Sequence, residues 1–144
     1  MIPLRSALAA LSLAMLLAAC SSSGGSTGGS ADARTIQVSM VDALQFNPDE
    51  ISAAAGETVR FEITNDGQLV HEFLIGTEVA QAEFEGEMAG GEMHHDTDAG
   101  VSVAAGQTET FEYTFGDAGS DLLAGCHEPG HYEGGMVATI TVTK

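Results

Sequence analysis

From Thr35 onward the chain alternates. Ile36, Val38 and Met40 are interleaved with Gln37 and Ser39. Val59, Phe61 and Ile63 are interleaved with Arg60 and Glu62, and Phe111, Tyr113 and Phe115 with Glu112 and Thr114. Near the end, Ala138, Ile140 and Val142 alternate with Thr139, Thr141 and Thr143. Successive side chains of a strand point to opposite faces, so each run predicts a strand with one face on a core and one in water. A further strand is expected at Val70–Ile75, with His71, Phe73 and Ile75 on one face. Several short strands joined by Gly-containing turns predict an all-β fold, a Greek-key β-sandwich of antiparallel strands. Asn65-Asp66-Gly67 reads as a hairpin turn between the strands that begin at Thr58 and Val70.

The segment Ala54-Ala55-Gly56-Glu57-Thr58-Val59-Arg60-Phe61-Glu62 is echoed by Ala104-Ala105-Gly106-Gln107-Thr108-Glu109-Thr110-Phe111-Glu112. Each copy reads as a Gly turn feeding a strand, at equivalent places in the two halves of the sandwich. Between about 76 and 99 the alternation stops and Glu, Gly, Met and His take over. This is expected to be a long insert with a short helical piece near Glu78–Phe84. Loops of that length are functional or disordered more often than incidental.

The amino-terminal quarter follows other rules. Arg5 precedes an apolar run from Ala7 to Ala19, too short to span a bilayer and flanked as a signal peptide is. The run ends Leu17-Ala18-Ala19-Cys20-Ser21, similar to a bacterial lipobox, so lipidation is expected at Cys20. Residues 20–34 are rich in Ser and Gly and predict a flexible tether with a reach of about 20 Å. The expected organisation is a lipoprotein signal peptide at 1–19, the tether at 20–34 and one domain at 35–144. The chain is then exported and anchored to a membrane by lipid on Cys20, facing the periplasm or the extracellular side.

Charge narrows the partners. The formal net charge is −17, and Arg34, Arg60 and Lys144 are the cations beyond Arg5. Phosphate backbones are repelled, which excludes nucleic acid. A redox partner, if steered electrostatically, would be basic; the domain itself is expected to be a monomer. Once Cys20 carries lipid, Cys126 is the one thiol left, so no internal disulfide can form.

The candidate chemistry lies in the last quarter. Cys126, His131 and Met136 fall at C-x4-H-x4-M within Gly-Cys-His-Glu-Pro-Gly-His-Tyr-Glu-Gly-Gly-Met. A thiolate, an imidazole and a thioether on one tight loop suit copper. One more His completes a trigonal His2Cys site with a weak axial Met. His71, on the apolar face of its strand, is the expected fourth ligand. Pro129-Gly130 should turn the loop between Cys126 and His131, and Gly134-Gly135 should bend it back to present Met136. Apolar side chains and backbone N–H donors are expected around the sulfur.

At these residues the chain resembles the cupredoxin (blue copper) family, in its rusticyanin- and auracyanin-like members and its periplasmic copper-tolerance members. The resemblance covers roughly Thr35 to Lys144. It implies one type 1 copper held by His71, Cys126, His131 and Met136, and one-electron transfer in the cell envelope without catalysis. The alternative it implies is copper tolerance by binding or sequestration, helped by a second candidate metal cluster at Met88, Met93, His94 and His95. His127, directly after the Cys, is placed as in multicopper oxidases. Their trinuclear cluster needs eight His and this chain has five. His127 is therefore expected at the surface, either beside the copper as a path for electrons or as an ordinary exposed side chain.

Overall fold

The computed structural model describes residues 33–90 and 98–144. The strands, in order, are β1 (Arg34–Val41), β2 (Gln45–Asn47), β3 (Glu50–Ala54), β4 (Thr58–Asn65) and β5 (His71–Gly76). Helix α1 (Glu78–Ala89) follows, then β6 (Gly100–Val103), β7 (Thr108–Thr114), β8 (Asp121–Gly125) and β9 (Val137–Thr143). They form a two-sheet sandwich. One sheet has the order β2-β1-β4-β7 and the other β3-β9-β8-β5-β6. The chain changes sheet repeatedly, so neighbours within a sheet are mostly distant in sequence.

The alternating runs become half-buried strands as their pattern requires. Val38 and Met40 of β1, Val59, Phe61 and Ile63 of β4, and Ala138, Ile140 and Val142 of β9 are all buried. Phe61 and Phe73 meet across the sandwich with ring centroids 5.5 Å apart, and Phe111 stacks on Phe61 at 5.2 Å. Removing such a ring from water contributes about 1.5–3 kcal/mol. Phe73 lies two residues from His71, so this packing also fixes the start of β5.

Two expectations are corrected. The sandwich is mixed rather than antiparallel throughout: β1 pairs with β4 and β3 with β9 in parallel. In each case the intervening chain passes through the other sheet before it returns to pair. Asn65-Asp66-Gly67 is not a hairpin, because β4 and β5 belong to different sheets. Asn65 is instead a buried tie. Its side-chain NH2 donates to Leu69 O (2.7 Å) and Val103 O (2.9 Å), and its oxygen accepts from Gly67 N (2.9 Å).

The echoed turns do play equivalent parts. Gly56 and Gly106 have φ of 76° and 70°, a region open to Gly at little cost. The strands they feed, β4 and β7, pair with each other antiparallel. The insert begins with a longer helix than expected. Thr77 caps α1 by accepting from Ala80 N at 3.3 Å.

Candidate metal centre

Three stretches converge at one end of the sandwich. β5 supplies His71 as its first residue, and Cys126 follows the last residue of β8. The loop from Cys126 to Met136 supplies the rest. Glu128 O accepts from His131 N at 2.8 Å, and His131 O accepts from Met136 N at 3.0 Å. Gly130 and Gly135, at φ 82° and 95°, make the two bends expected of them. Met136 O then accepts from Cys126 N at 3.2 Å, closing the loop on itself. Gly134 must be small, since a Cβ there would strike the Leu44 side chain.

The donor atoms meet. His71 Nδ1 lies 3.2 Å from His131 Nδ1, and Cys126 Sγ lies 3.3 Å from His131 Nδ1 and 3.9 Å from His71 Nδ1. Such a triangle has a centre about 2.0 Å from each corner, and imidazole nitrogen binds a first-row metal at roughly 2.0–2.1 Å. Among the described His, Cys, Asp and Glu residues, these three make the group able to hold a metal ion. Cys126, His71 and Met136 are buried, and His131 is partly exposed. Met136 belongs to the same core cluster as Cys126, Phe46 and Phe73.

Asp42 sets the tautomer of His71. Its carboxylate accepts from Gln68 N (2.9 and 3.0 Å) and Leu69 N (3.2 Å), and these N–H groups hold its pKa below the ordinary range. Asp42 Oδ1 lies 3.2 Å from His71 Nε2. An ionised carboxylate accepts only, so Nε2 carries the proton and Nδ1 turns its lone pair to the site. Burial and the neighbouring His71 push the His131 pKa down, favouring the neutral imidazole that a metal needs.

The sulfur is held in the surroundings expected of it. Glu72 N donates to Cys126 Sγ at 3.3 Å, and the backbone N–H of Glu128 acts in the same sense. Burial nevertheless pushes the free thiol up to about 12, with the charges of Glu72 and Glu128 adding to the shift. A bare thiolate is unfavourable here; a cation that replaces the proton is favoured. Glu72 itself is pushed up to about 7, chiefly by burial and then by Glu128. A soft thiolate, two neutral imidazoles and a thioether on the same loop suit a single copper ion.

His127 is a correction. It is 1% exposed, where the sequence predicts a surface side chain. Its Nε2 donates to Gln81 Oε1 at 2.7 Å, its Nδ1 lies 2.8 Å from Glu85 Oε1, and its ring stacks on Tyr132. The reason is α1, which lies against β5 and β8 and covers the ring. Asp42, Gln81 and Glu85 were missed in the sequence. Gln81 and Glu85 stand four apart on a helix, which places them on one face; nothing local shows what that face meets. Of the second candidate cluster, Met88 lies half-buried on α1. Met93, His94 and His95 lie outside the described residues, as does Cys20.

Comparison with known proteins agrees with this architecture. A family model described as a cupredoxin-like domain matches residues 7–112, well over half the chain. That match ends before the Cys126 loop, so the loop's assignment rests on the geometry above. The chain is 41% identical over 110 residues to the copper-resistant cuproprotein CopI of Rubrivivax gelatinosus, covering 76% of this chain and 66% of that protein. It is 33% identical over 139 residues to the protein of the same name from Pseudomonas aeruginosa, covering 76% of each. The chain thus spans about two thirds to three quarters of the length of these relatives. Among solved structures, a reduced auracyanin from Roseiflexus castenholzii superposes with a TM-score of 0.67 at 22% identity, covering 76% of this chain and 97% of that one. An azurin from Methylomonas sp. strain J superposes with a TM-score of 0.65 at 12% identity, covering 77% of this chain and 98% of that one. Both share the fold. With the family model matched over most of the chain and a relative 33% identical across 76% of its length, the chain belongs to the family of cupredoxin-like domains.

Proposed function

We propose that His71, Cys126, His131 and Met136 hold one copper ion as a type 1 site, and that the chain carries single electrons in the cell envelope. The observation that carries this reading is the buried triangle of His71 Nδ1, His131 Nδ1 and Cys126 Sγ. Copper supplies a one-electron couple. The protein's part is to keep the ligands nearly still when the charge changes. Asp42 orients His71, the Glu72 and Glu128 N–H groups hold the sulfur, and the Gly130 and Gly135 bends fix the loop. Partial exposure of His131 leaves one edge of the site open to a partner. No catalysis is proposed. The partner is a redox protein, basic if it uses the acidic surface. The chain is exported, acts as a monomer, and is tethered by lipid on Cys20.

A second reading is favoured by the relatives, which are named for copper resistance. Here the same site serves copper tolerance, and Met88, Met93, His94 and His95 bind further copper.

Copper content with visible and electron paramagnetic spectra tests both. One copper per chain, an intense thiolate charge-transfer band and a type 1 signal are expected. The Cys126→Ser variant should lose the band; a surviving band would sink the site assignment. Rapid electron self-exchange, unchanged when Met88, Met93, His94 and His95 are replaced, supports electron transfer. Additional copper lost on those replacements supports tolerance.

A further inference from the structure

We propose that α1 is a positioning device for the metal thiolate: Gln81 and Glu85 clamp His127, and through it the backbone that carries Cys126. The proposal rests on the copper reading above and adds to it residues outside the four ligands.

Gln81 is fully buried beneath α1. Its amide NH2 donates to Leu74 O of β5 and to Leu123 O of β8, both at 3.0 Å. Both hydrogens are thereby used, and the amide oxygen is left facing His127 Nε2 at 2.7 Å. This one side chain therefore ties the two strands that lead to His71 and Cys126, and holds the residue after Cys126 as well. One turn along the helix, Glu85 takes the other ring nitrogen, with Oε1 2.8 Å from His127 Nδ1. The ring is fixed between these acceptors by Tyr132, stacked at 4.8 Å and 21°, and by Phe84 at 5.5 Å. The His127 backbone is held too, donating to Glu72 Oε2 at 3.3 Å.

The strands are shaped to admit this clamp. A Cβ at Gly125, the residue before Cys126, would lie 2.5 Å from Gln81 Oε1 and 2.8 Å from the Tyr132 ring. A Cβ at Gly76 would lie 2.8 Å from Ala80 Cβ. Gly125-Cys126-His127 is thus a strand end on which a helix can sit closely, and the helix reaches His127 with two polar side chains. Residues next to a ligand control its orientation, and small changes in orientation alter the metal–sulfur interaction. Gln81 and Glu85 touch neither copper nor its donor atoms; they act through His127.

The test compares Glu85→Ala, Glu85→Gln and Gln81→Leu in the full chain. With copper bound, Glu85→Ala and Gln81→Leu should keep one copper per chain. They should shift the ratio of the thiolate charge-transfer bands and the midpoint potential. Glu85→Gln, which keeps a hydrogen-bonding partner for His127 Nδ1, should restore both. Unchanged band ratio and potential in Glu85→Ala at full copper content would overturn the proposal, as would equal shifts in Glu85→Ala and Glu85→Gln. If Gln81→Leu fails to fold, the Glu85 pair decides alone, since that side chain is 32% exposed and not part of the core. A second readout needs no copper. In the apo-protein, peptide-resolved alkylation of Cys126 should speed up about tenfold in Glu85→Ala, the effect of losing one charge-assisted hydrogen bond from a locally opening unit. An unchanged alkylation rate would also overturn the proposal. A parent chain that takes up no coloured copper would instead sink the copper reading, and the alkylation rates would then decide the clamp.

Discussion

Asp42 shows how much one side chain outside the ligand set can determine. It joins the β1–β2 connection to the segment before β5 by accepting from Gln68 and Leu69 N–H, and it fixes the proton of His71 on Nε2. Replacing it by Ala removes the partner that orients His71. Loss of such a partner costs roughly 10- to 100-fold in metal affinity. Competition titration with a copper chelator should show that loss for Asp42→Ala, with the type 1 spectrum retained because all four ligands remain. An affinity equal to the parent's would mean that packing alone orients His71. At Asn65 the stake is stability. The Ala variant takes the side-chain donor from the buried Val103 carbonyl and from the part-buried Leu69 carbonyl, a loss of about 1–3 kcal/mol that comes chiefly from the buried one. Urea unfolding of the apo-protein should show it as a lower midpoint with unchanged slope.

Among the elements, the turn before β4 is tied by charge. Glu57 accepts from Arg34 Nε at 2.7 Å and from Ala54 N at 2.8 Å, and Arg34 also donates to Ser52 O at 2.9 Å. The start of β1, the end of β3 and the turn into β4 are thus joined at one carboxylate. These partners, Arg34 first, hold the Glu57 pKa below its ordinary value. A carboxylate with a depressed folded pKa stabilises above the unfolded value, about 4.3, and that stabilisation is lost as pH falls through the folded value. Thermal unfolding should therefore place the parent above Glu57→Gln at pH 7, with the gap narrowing as the pH falls below the unfolded value, about 4.3. A gap of constant size across that range would show that the side chain acts by shape and not by charge. Helix α1 is tied differently, through buried neutral and charged contacts to β5, β8 and His127. Its substitutions are therefore expected to be read at the metal centre before they are read in stability.

For the whole molecule the governing quantity is charge. Twenty-one acidic residues face four basic ones, a net −17. Self-repulsion at that density opposes the compact state, and salt screens it, with a Debye length falling from about 30 Å at 0.01 M to about 3 Å at 1 M. The melting temperature of the apo-protein at pH 7 should rise with sodium chloride over that range. A falling melting temperature would mean that ion pairs such as Arg34–Glu57 outweigh the repulsion. Among the described residues no helix is long and apolar enough to cross a membrane.

The strands with one wet face were legible in the sequence, because burial of alternate side chains imposes a period of two that needs no distant partner to be seen. So were the echoed Gly turns, whose positive φ is a local requirement, and the ligand loop, whose donors lie within eleven residues of one another. β2, β3, β6 and β8 were not. They are three to five residues long, too short for a period to stand out, and their place in the sheets comes from partners far along the chain. The same limit explains the errors. A turn signal at Asn65-Asp66-Gly67 cannot say whether the next strand joins the same sheet, and parallel pairing depends on how connections cross the sandwich. His71 could be named from its apolar face, but its tautomer waits on Asp42, 29 residues away. His127 looked like a surface side chain because the helix that buries it comes from the insert, over forty residues earlier. Sequence by itself determined which residues could hold a metal, since donor chemistry and loop spacing are local. Tertiary structure decided how those donors are oriented and which side chains hold them still, because that depends on contacts between segments that only the closed sandwich brings together.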